Sequence, residues 1–195
     1  MNEPDERCLE LHTLADRLGF SIRNLELFDR ALTHVSMAAE ASQPTFDYES
    51  LEFLGDAVLG LVVAHHLFET VPERTPGEYS RMRAGLVNRR CVARVAKGLD
   101  IAPVIRLGKG EETSGGRQRA ALMGDCLEAL IGAVYLDSGW EEARQFVVHI
   151  FARELERIHK LDEAWDFKST LQNYCQAEHI GLPQFIVLRA EGPDH

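Results

Sequence analysis

The sequence predicts an all-α domain over residues 1–160, with room after it for only part of a second domain. Three observations point to that class. Two long apolar runs carry their apolar residues at helical spacing, and in the first Leu51, Leu54, Val58 and Leu61 recur in that way, in a run reaching Phe68. Helix-start signals recur between the runs: Thr75-Pro76-Gly77-Glu78 offers an N-cap, a proline at N1 and the glutamate of a capping box. Both apolar runs also contain acids, which decide what the helices are for.

In chain order, Leu9, Leu11, Leu14 and Leu18 predict an opening helix closed by Gly19. Asn24 precedes Leu25, Phe28, Ala31 and Leu32, a second amphipathic helix. Met37 to Phe46 is small and polar and reads as a loop, with Asp47 as a cap for the long helix that follows. Val71-Pro72 ends that helix, Thr75 starts the next, and Asn88 caps another that runs to Gly98. Val104-Ile105 is strand-like, and the Gly-rich stretch after it has neither G-x-G-x-x-G nor P-loop spacing, so no nucleotide cofactor is expected. A second acidic helix runs to about Leu136. Asp137-Ser138-Gly139 then turns into a helix with Phe146, Ile150, Phe151 and Leu155 on its apolar face. Residues 161–165 read as a linker.

The acids carry the chemistry. Glu49, Glu52 and Asp56 lie at i, i+3 and i+7 on one face of the first run, and Asp125 and Glu128 lie at i, i+3 in the second. Carboxylates stacked on a largely buried helix lose solvation and repel one another, so they must be protonated, paired or bound to a cation. One shared site explains both helices. Oxygen donors with no His or Cys on the same faces suit a hard cation, Mg²⁺ or Mn²⁺, better than zinc; Cys126 is turned about 100° from Asp125. A plainer reading makes these acids caps or solvated positions at helix ends. That reading serves for Glu49, in the first turn, but Glu52 and Asp56 lie too deep in the run.

Composition fits a globular protein, with 45% hydrophobic and 27% charged residues. No uninterrupted apolar stretch looks long enough to span a bilayer, and the acidic start Met1-Asn2-Glu3 is unlike a signal peptide. Cys8, Cys91, Cys126 and Cys175 are far apart with no C-x-x-C pair, which suggests reduced thiols and a cytoplasmic location. The net charge of −10 is uneven: between Arg74 and Arg119 eleven Lys and Arg face four acids. A basic segment in an acidic chain suits a phosphate track beside a carboxylate site, although several of these arginines are only solvated helix positions.

Glu49-Ser50-Leu51-Glu52-Phe53-Leu54-Gly55-Asp56-Ala57-Val58-Leu59 resembles the signature motif of the bacterial ribonuclease III family. Asp125-Cys126-Leu127-Glu128-Ala129-Leu130-Ile131-Gly132 resembles its second acidic motif. Ala31-Leu32-Thr33-His34, Ser80-Arg81-Met82-Arg83-Ala84, Gly108-Lys109-Gly110-Glu111 and Ser114-Gly115-Gly116 fall in the family's order, and the likeness runs from about Leu9 to the end of the chain.

That resemblance implies an endoribonuclease that hydrolyses double-stranded RNA, leaving 5′-phosphate and 3′-hydroxyl ends with short 3′ overhangs, in rRNA, mRNA and other RNA processing. It implies Glu52, Asp56, Asp125 and Glu128 as metal ligands, Asp56 and Glu128 as catalytic, and Mg²⁺ as cofactor with Mn²⁺ able to substitute. Glu49 matches a position that contacts RNA or water. Phe53 matches an aromatic that plugs into a partner subunit of a homodimer. His34 reads as a hydrogen-bonded structural residue. One departure is Pro76, where family members commonly carry an acid before the glycine; it bears on a second metal, not on the core site. The rival readings are a catalytically silent scaffold for double-stranded RNA and a small-molecule phosphohydrolase.

Residues 166–195 resemble the start of an α+β (α-β-β-β-α) double-stranded RNA-binding domain. Asp166 to Gln176 would be its first helix, Leu182 to Leu188 its first strand, and Gly192 to His195 the start of a groove-entering loop. Ser169, Gln172 and His195 would be its RNA contacts. About 30 residues are too few to bury a core, so this is expected to be a shortened domain, poorly stabilised alone.

Overall fold

A computed structural model describes residues 6–40, 46–71 and 73–184. Its helices are α1 (Glu6–Leu18), α2 (Leu25–Ala31), α3 (Val35–Glu40), α4 (Glu49–Thr70), α5 (Pro76–Val87), α6 (Arg89–Gly98), α7 (Lys109–Thr113), α8 (Ala120–Ser138), α9 (Trp140–Ile150) and α10 (Ala152–Ala177). The all-α expectation holds: among the described residues no strand forms, and the one bridge is Thr33 to Arg106. The chain divides into two compact units, Met1–Glu156 and Arg157–His195.

The local signals act as expected. Gly19 takes a positive φ of 78° after α1, where a side chain would be strained. Asn24 and Asn88 accept from the backbone N–H of Leu27 and Cys91, capping α2 and α6, and Thr75 with Glu78 closes a reciprocal capping box on α5. Asp47 accepts from the Glu49 N–H at 3.0 Å and so serves the first turn of α4.

In the first unit α4 and α8 pack against each other at the centre, with α5 and α9 also on α4, and α2, α6 and α9 on α8. Leu59 and Leu67 from α4 meet a core that includes Leu127, Leu130 and Ile131 from α8, all of them fully buried. Each such side chain contributes about 2 kcal/mol through area removed from water. Phe20 stacks on Phe28 at 5.2 Å and meets Phe146 edge-on at 5.1 Å, tying α2 to α9. The carboxylate of Asp137, at the end of α8, accepts from the N–H groups of Arg23 and Asn24 before α2.

Several expectations need correction. Leu61 is 58% exposed: the buried stripe of α4 is Leu51, Gly55, Val58, Leu59, Val62, Val63 and Leu67. The stretch read as a loop from Met37 contains most of α3, which ends at Glu40. Val104 closes a 3-10 turn and Ile105 leads to the bridge at Arg106, so the strand is reduced to one pair. The helix through Phe151 breaks there, with α9 ending at Ile150 and α10 starting at Ala152. Contrary to the reading of the apolar runs, α4 is long and apolar enough to cross a membrane by length and composition. It packs on α8, α5 and α9, which is the setting of a core helix.

In the second unit α10 continues without interruption through 161–165, the stretch read as a linker, and through the expected first helix of the second domain. Residues 182–184 have no regular structure, and the rest of the expected strand, with Gly192 to His195, lies outside the described residues.

Candidate metal centre

The site is made by the crossing of α4 and α8. Gly55 and Gly132 let their backbones touch: a Cβ on Gly55 would lie 1.7 Å from the Glu128 carbonyl oxygen, and one on Gly132 2.4 Å from that of Leu51. Glu52 lies three residues before Gly55 and Glu128 four before Gly132, so the acids of both helices are drawn into one place. Glu52, Asp125 and Glu128 each offer a carboxylate oxygen within 4.8 Å of the others, and all three are half-buried. Asp56 is exposed and stands outside that group of three, yet among neighbouring charges it acts most strongly on Glu128.

The electrostatics are those of a site that needs a cation. Burial first, then Asp56, Glu52 and Asp125, push the Glu128 carboxyl up to about 7, against the pull of Arg89. Glu52 is raised by burial and then by Asp125 and Glu49, and Asp125 is raised by burial, with Arg89 and His34 opposing. Burial and the same acids raise the Tyr48 phenol and the Cys126 thiol. Close carboxylates with raised affinities for protons release that strain by taking up a positive ion. Oxygen donors alone, without His or Cys in the group, fit a hard divalent cation.

Four residues of the basic segment form structural pairs. Arg94 holds Glu154 with two bonds of 2.9 and 3.0 Å, Arg106 reaches Asp29, Arg117 Glu112, and Arg119 Glu111. Arg89 differs. It lines a small cavity with Asp125 and Glu128 and is the positive charge acting on Glu52, Asp125 and Glu128 alike.

A family model for ribonuclease-III-like proteins matches residues 24–155, which contain every element just described. The chain belongs to the ribonuclease III family. It is 45% identical over 186 residues to Ribonuclease 3 of Streptomyces coelicolor, covering 94% of this chain and 66% of that protein. To Ribonuclease 3 of Thermobifida fusca it is 46% identical over 187 residues, covering 95% and 76%. The chain thus spans about two thirds to three quarters of these relatives. The nuclease domain of ribonuclease III from Campylobacter jejuni, described as having a flexible region involved in dimer formation, superposes with a TM-score of 0.68. It is 34% identical, and the match covers 73% of this chain and 96% of that one.

Within the ribonuclease III family this chain is an endoribonuclease, and its acidic cluster accords with the family's dependence on metal. Of the residues singled out from the sequence, Glu52, Asp125 and Glu128 come together and Asp56 stands beside them. Glu49 is exposed at the start of α4, with its charge felt at Glu52. Phe53 is 81% exposed on the same helix. Gln172 is half-buried on α10; the side chain of Ser169, and His195 altogether, lie outside what is described. Arg89 and Tyr48 were not singled out. Only the packing of α6 on α8, close at Gly124, brings Arg89 to the acids, and no local pattern signals it.

Proposed function

We propose that this ribonuclease III family member hydrolyses phosphodiester bonds of double-stranded RNA with Mg²⁺ held by Glu52, Asp125, Glu128 and Asp56. The observation that carries the reading is the convergence of three half-buried carboxylates from two helices. A divalent ion bound there lowers the pKa of a bound water and neutralises charge on the phosphate. The protein's part is positioning. Glu52, Asp125, Glu128 and the exposed Asp56 would hold the ion between the two helices, and Asp56 and Glu128 would also orient the water it activates. Arg89 faces an incoming phosphate with positive charge. The reading extends to 5′-phosphate and 3′-hydroxyl ends with short 3′ overhangs, to cytoplasmic rRNA and mRNA processing, and to Mn²⁺ as a substitute. Incubating long double-stranded RNA with Mg²⁺ tests it. Cleavage supports the enzyme, retention of uncut RNA supports a scaffold, and neither result leaves a small-molecule phosphohydrolase.

Cutting both strands calls for two sites, and α4 supports a homodimer. Phe53, Leu61 and Phe68 stand exposed along it, at 81, 58 and 73%. Beside Phe68 lies an apolar hollow of about 220 Å³ between α4 and α5, lined by Ala64, Leu67, Phe68, Tyr79, Ser80 and Arg83. Phe53 and Phe68 are about 22 Å apart along the helix, with Gly60 near the midpoint and open space above it. Two copies of α4 crossing antiparallel at Gly60 would seat each Phe53 in the other's hollow, an isologous contact. Phe53→Asp should shift the protein from dimer to monomer in sedimentation experiments and reduce double-strand cutting. An unchanged sedimentation coefficient would rule this contact out.

Residues 166–195 are proposed as the start of a double-stranded RNA-binding domain following the catalytic domain (1–160), with Ser169, Gln172 and His195 on RNA; the helicity of 166–176 supports its first element.

A further inference from the structure

The entrance to α4 carries a cation that no carboxylate of its own chain answers. Arg30, in the last turn of α2, donates from Nε to the Asp47 carbonyl at 3.0 Å and from a terminal nitrogen to Ser50 Oγ. Its guanidinium also lies over the Phe46 ring, 4.9 Å from the centroid, and Phe46 is itself 70% exposed. These contacts fix the charge against the first turn of α4, and no acid pairs with it among the described residues. At about 100° per residue, Ser50 falls on the face of α4 that carries Phe53, Ala57, Leu61 and Phe68. Arg30 therefore stands at one end of the exposed apolar face.

The other end of that face has the opposite sign. The last turn of α4 holds no basic residue, and its carbonyls present the negative end of the helix dipole. Glu69 is there too, 3.4 Å from His65. Glu73, three residues past the helix, is exposed and takes a φ of 61°, uncommon outside glycine. Its carboxylate meets no partner among the described residues, and the neighbouring Arg74 acts on Glu78. Ser50 and Thr70 each stand ten residues, about 15 Å, from Gly60. An antiparallel crossing at Gly60 thus sets the Arg30 end of one copy against the Glu73 end of the other.

We propose that Arg30 pairs with Glu73 of the partner subunit, so that the α4 contact is closed at both ends by one ion pair and its symmetry mate. This rests on the homodimer reading above. A parallel crossing would oppose Arg30 to Arg30 and Glu73 to Glu73, so the pairs also select the antiparallel arrangement. Holding Arg30 from the partner's side steadies the first turn of α4, where Glu49 and Glu52 stand.

Sedimentation equilibrium of the purified protein is the test, with Phe53→Asp as the monomer reference. Arg30→Glu and Glu73→Arg should each weaken dimerisation about 10–100-fold, because two attractive contacts per dimer become repulsive. The double reversal should return to within about threefold of the parent, as directly coupled sites do. Arg30→Glu also gives up its bonds to Asp47 and Ser50; Glu73 touches neither, so rescue from Glu73 separates the pairing from that local loss. Added NaCl should weaken the parent dimer more than the Glu73→Gln dimer. Parental dimerisation in both single reversals overturns the proposal, as does a double reversal no tighter than the weaker single one. If Arg30→Glu keeps the dimer but loses retention of double-stranded RNA, the guanidinium serves the RNA backbone and the proposal falls. If Phe53→Asp releases monomers while the charge variants stay dimeric, the homodimer stands and the ion pair falls. A parent that is itself monomeric sinks the homodimer reading first, and the pair with it.

Discussion

Glu128→Gln should bind double-stranded RNA as the parent does and cut it at least about a thousandfold more slowly with Mg²⁺, the scale on which one preorganised charge acts. Glu128 is where the site's electrostatics concentrate, its carboxyl raised from 4.5 to about 7 by burial, Asp56, Glu52 and Asp125. Glutamine keeps the shape and removes the charge. The same substitution should have the opposite effect on the metal-free fold. A carboxyl raised in the folded state makes its stabilising contribution in full below its unfolded value and loses it as pH climbs through the folded one. The metal-free parent should therefore lose stability between pH 4.5 and about 7 and level off above. The loss is about 2 kcal/mol at most, once solvent screening of a partly exposed group is allowed for. Glu128→Gln should show a shallower slope, left by Glu52 and Asp125 that burial still raises, and melt above the parent at pH 8 in EDTA. Saturating Mg²⁺ should reverse the order, because the ion stabilises only the protein that binds it. Thermal melts at pH 5 and 8, with and without Mg²⁺, check every sign. A variant that cuts at the parental rate would show that Glu128 is not a ligand.

The acids were legible because charge inside an apolar run is an anomaly that needs no partner to be noticed. Glu52, Asp125 and Glu128 lie within reach of one ion, while Asp56, expected with them, is exposed and stands outside that group. The caps at Thr75 and Asn88 were legible for a similar reason, each being a local bond within three residues. What failed depends on distant chain. Leu61 has the spacing of a core residue, but α4 is apolar on two faces, and only the packing of α8 decides which is buried. The α3 helix is only six residues long, and its end is held by Glu40 accepting from the Lys109 N–H at 3.0 Å, a partner 69 residues away. His34, by contrast, reads as a hydrogen-bonded structural residue, and its Nδ1 is indeed bonded to Ser36.

Gly55→Ala should be the most damaging added methyl among the described glycines. On an open helix the change favours folding by up to about 1 kcal/mol. At Gly55 the new carbon would sit 1.7 Å from the Glu128 carbonyl oxygen, 2.5 Å from its carbon and 3.0 Å from the Gly132 nitrogen. All three are backbone atoms, so no side chain can swing away and the helices themselves must part. Overpacking against rigid backbone at the centre of the core should cost more than about 4 kcal/mol, enough to leave much of the protein unfolded. Gly132→Ala, with its carbon 2.4 Å from the Leu51 oxygen, should behave in the same way. Gly77→Ala is the control: nothing lies within 4 Å of the added carbon, and its effect should be neutral or slightly stabilising. Any Gly55→Ala protein that does fold should bind Mn²⁺ poorly, since parting α4 from α8 draws Glu52 away from Asp125 and Glu128. Denaturant melts and Mn²⁺ titration of the three variants read both effects. Parental stability and Mn²⁺ affinity in Gly55→Ala would mean that the two backbones do not touch there, and the convergence of the acids would lose its cause.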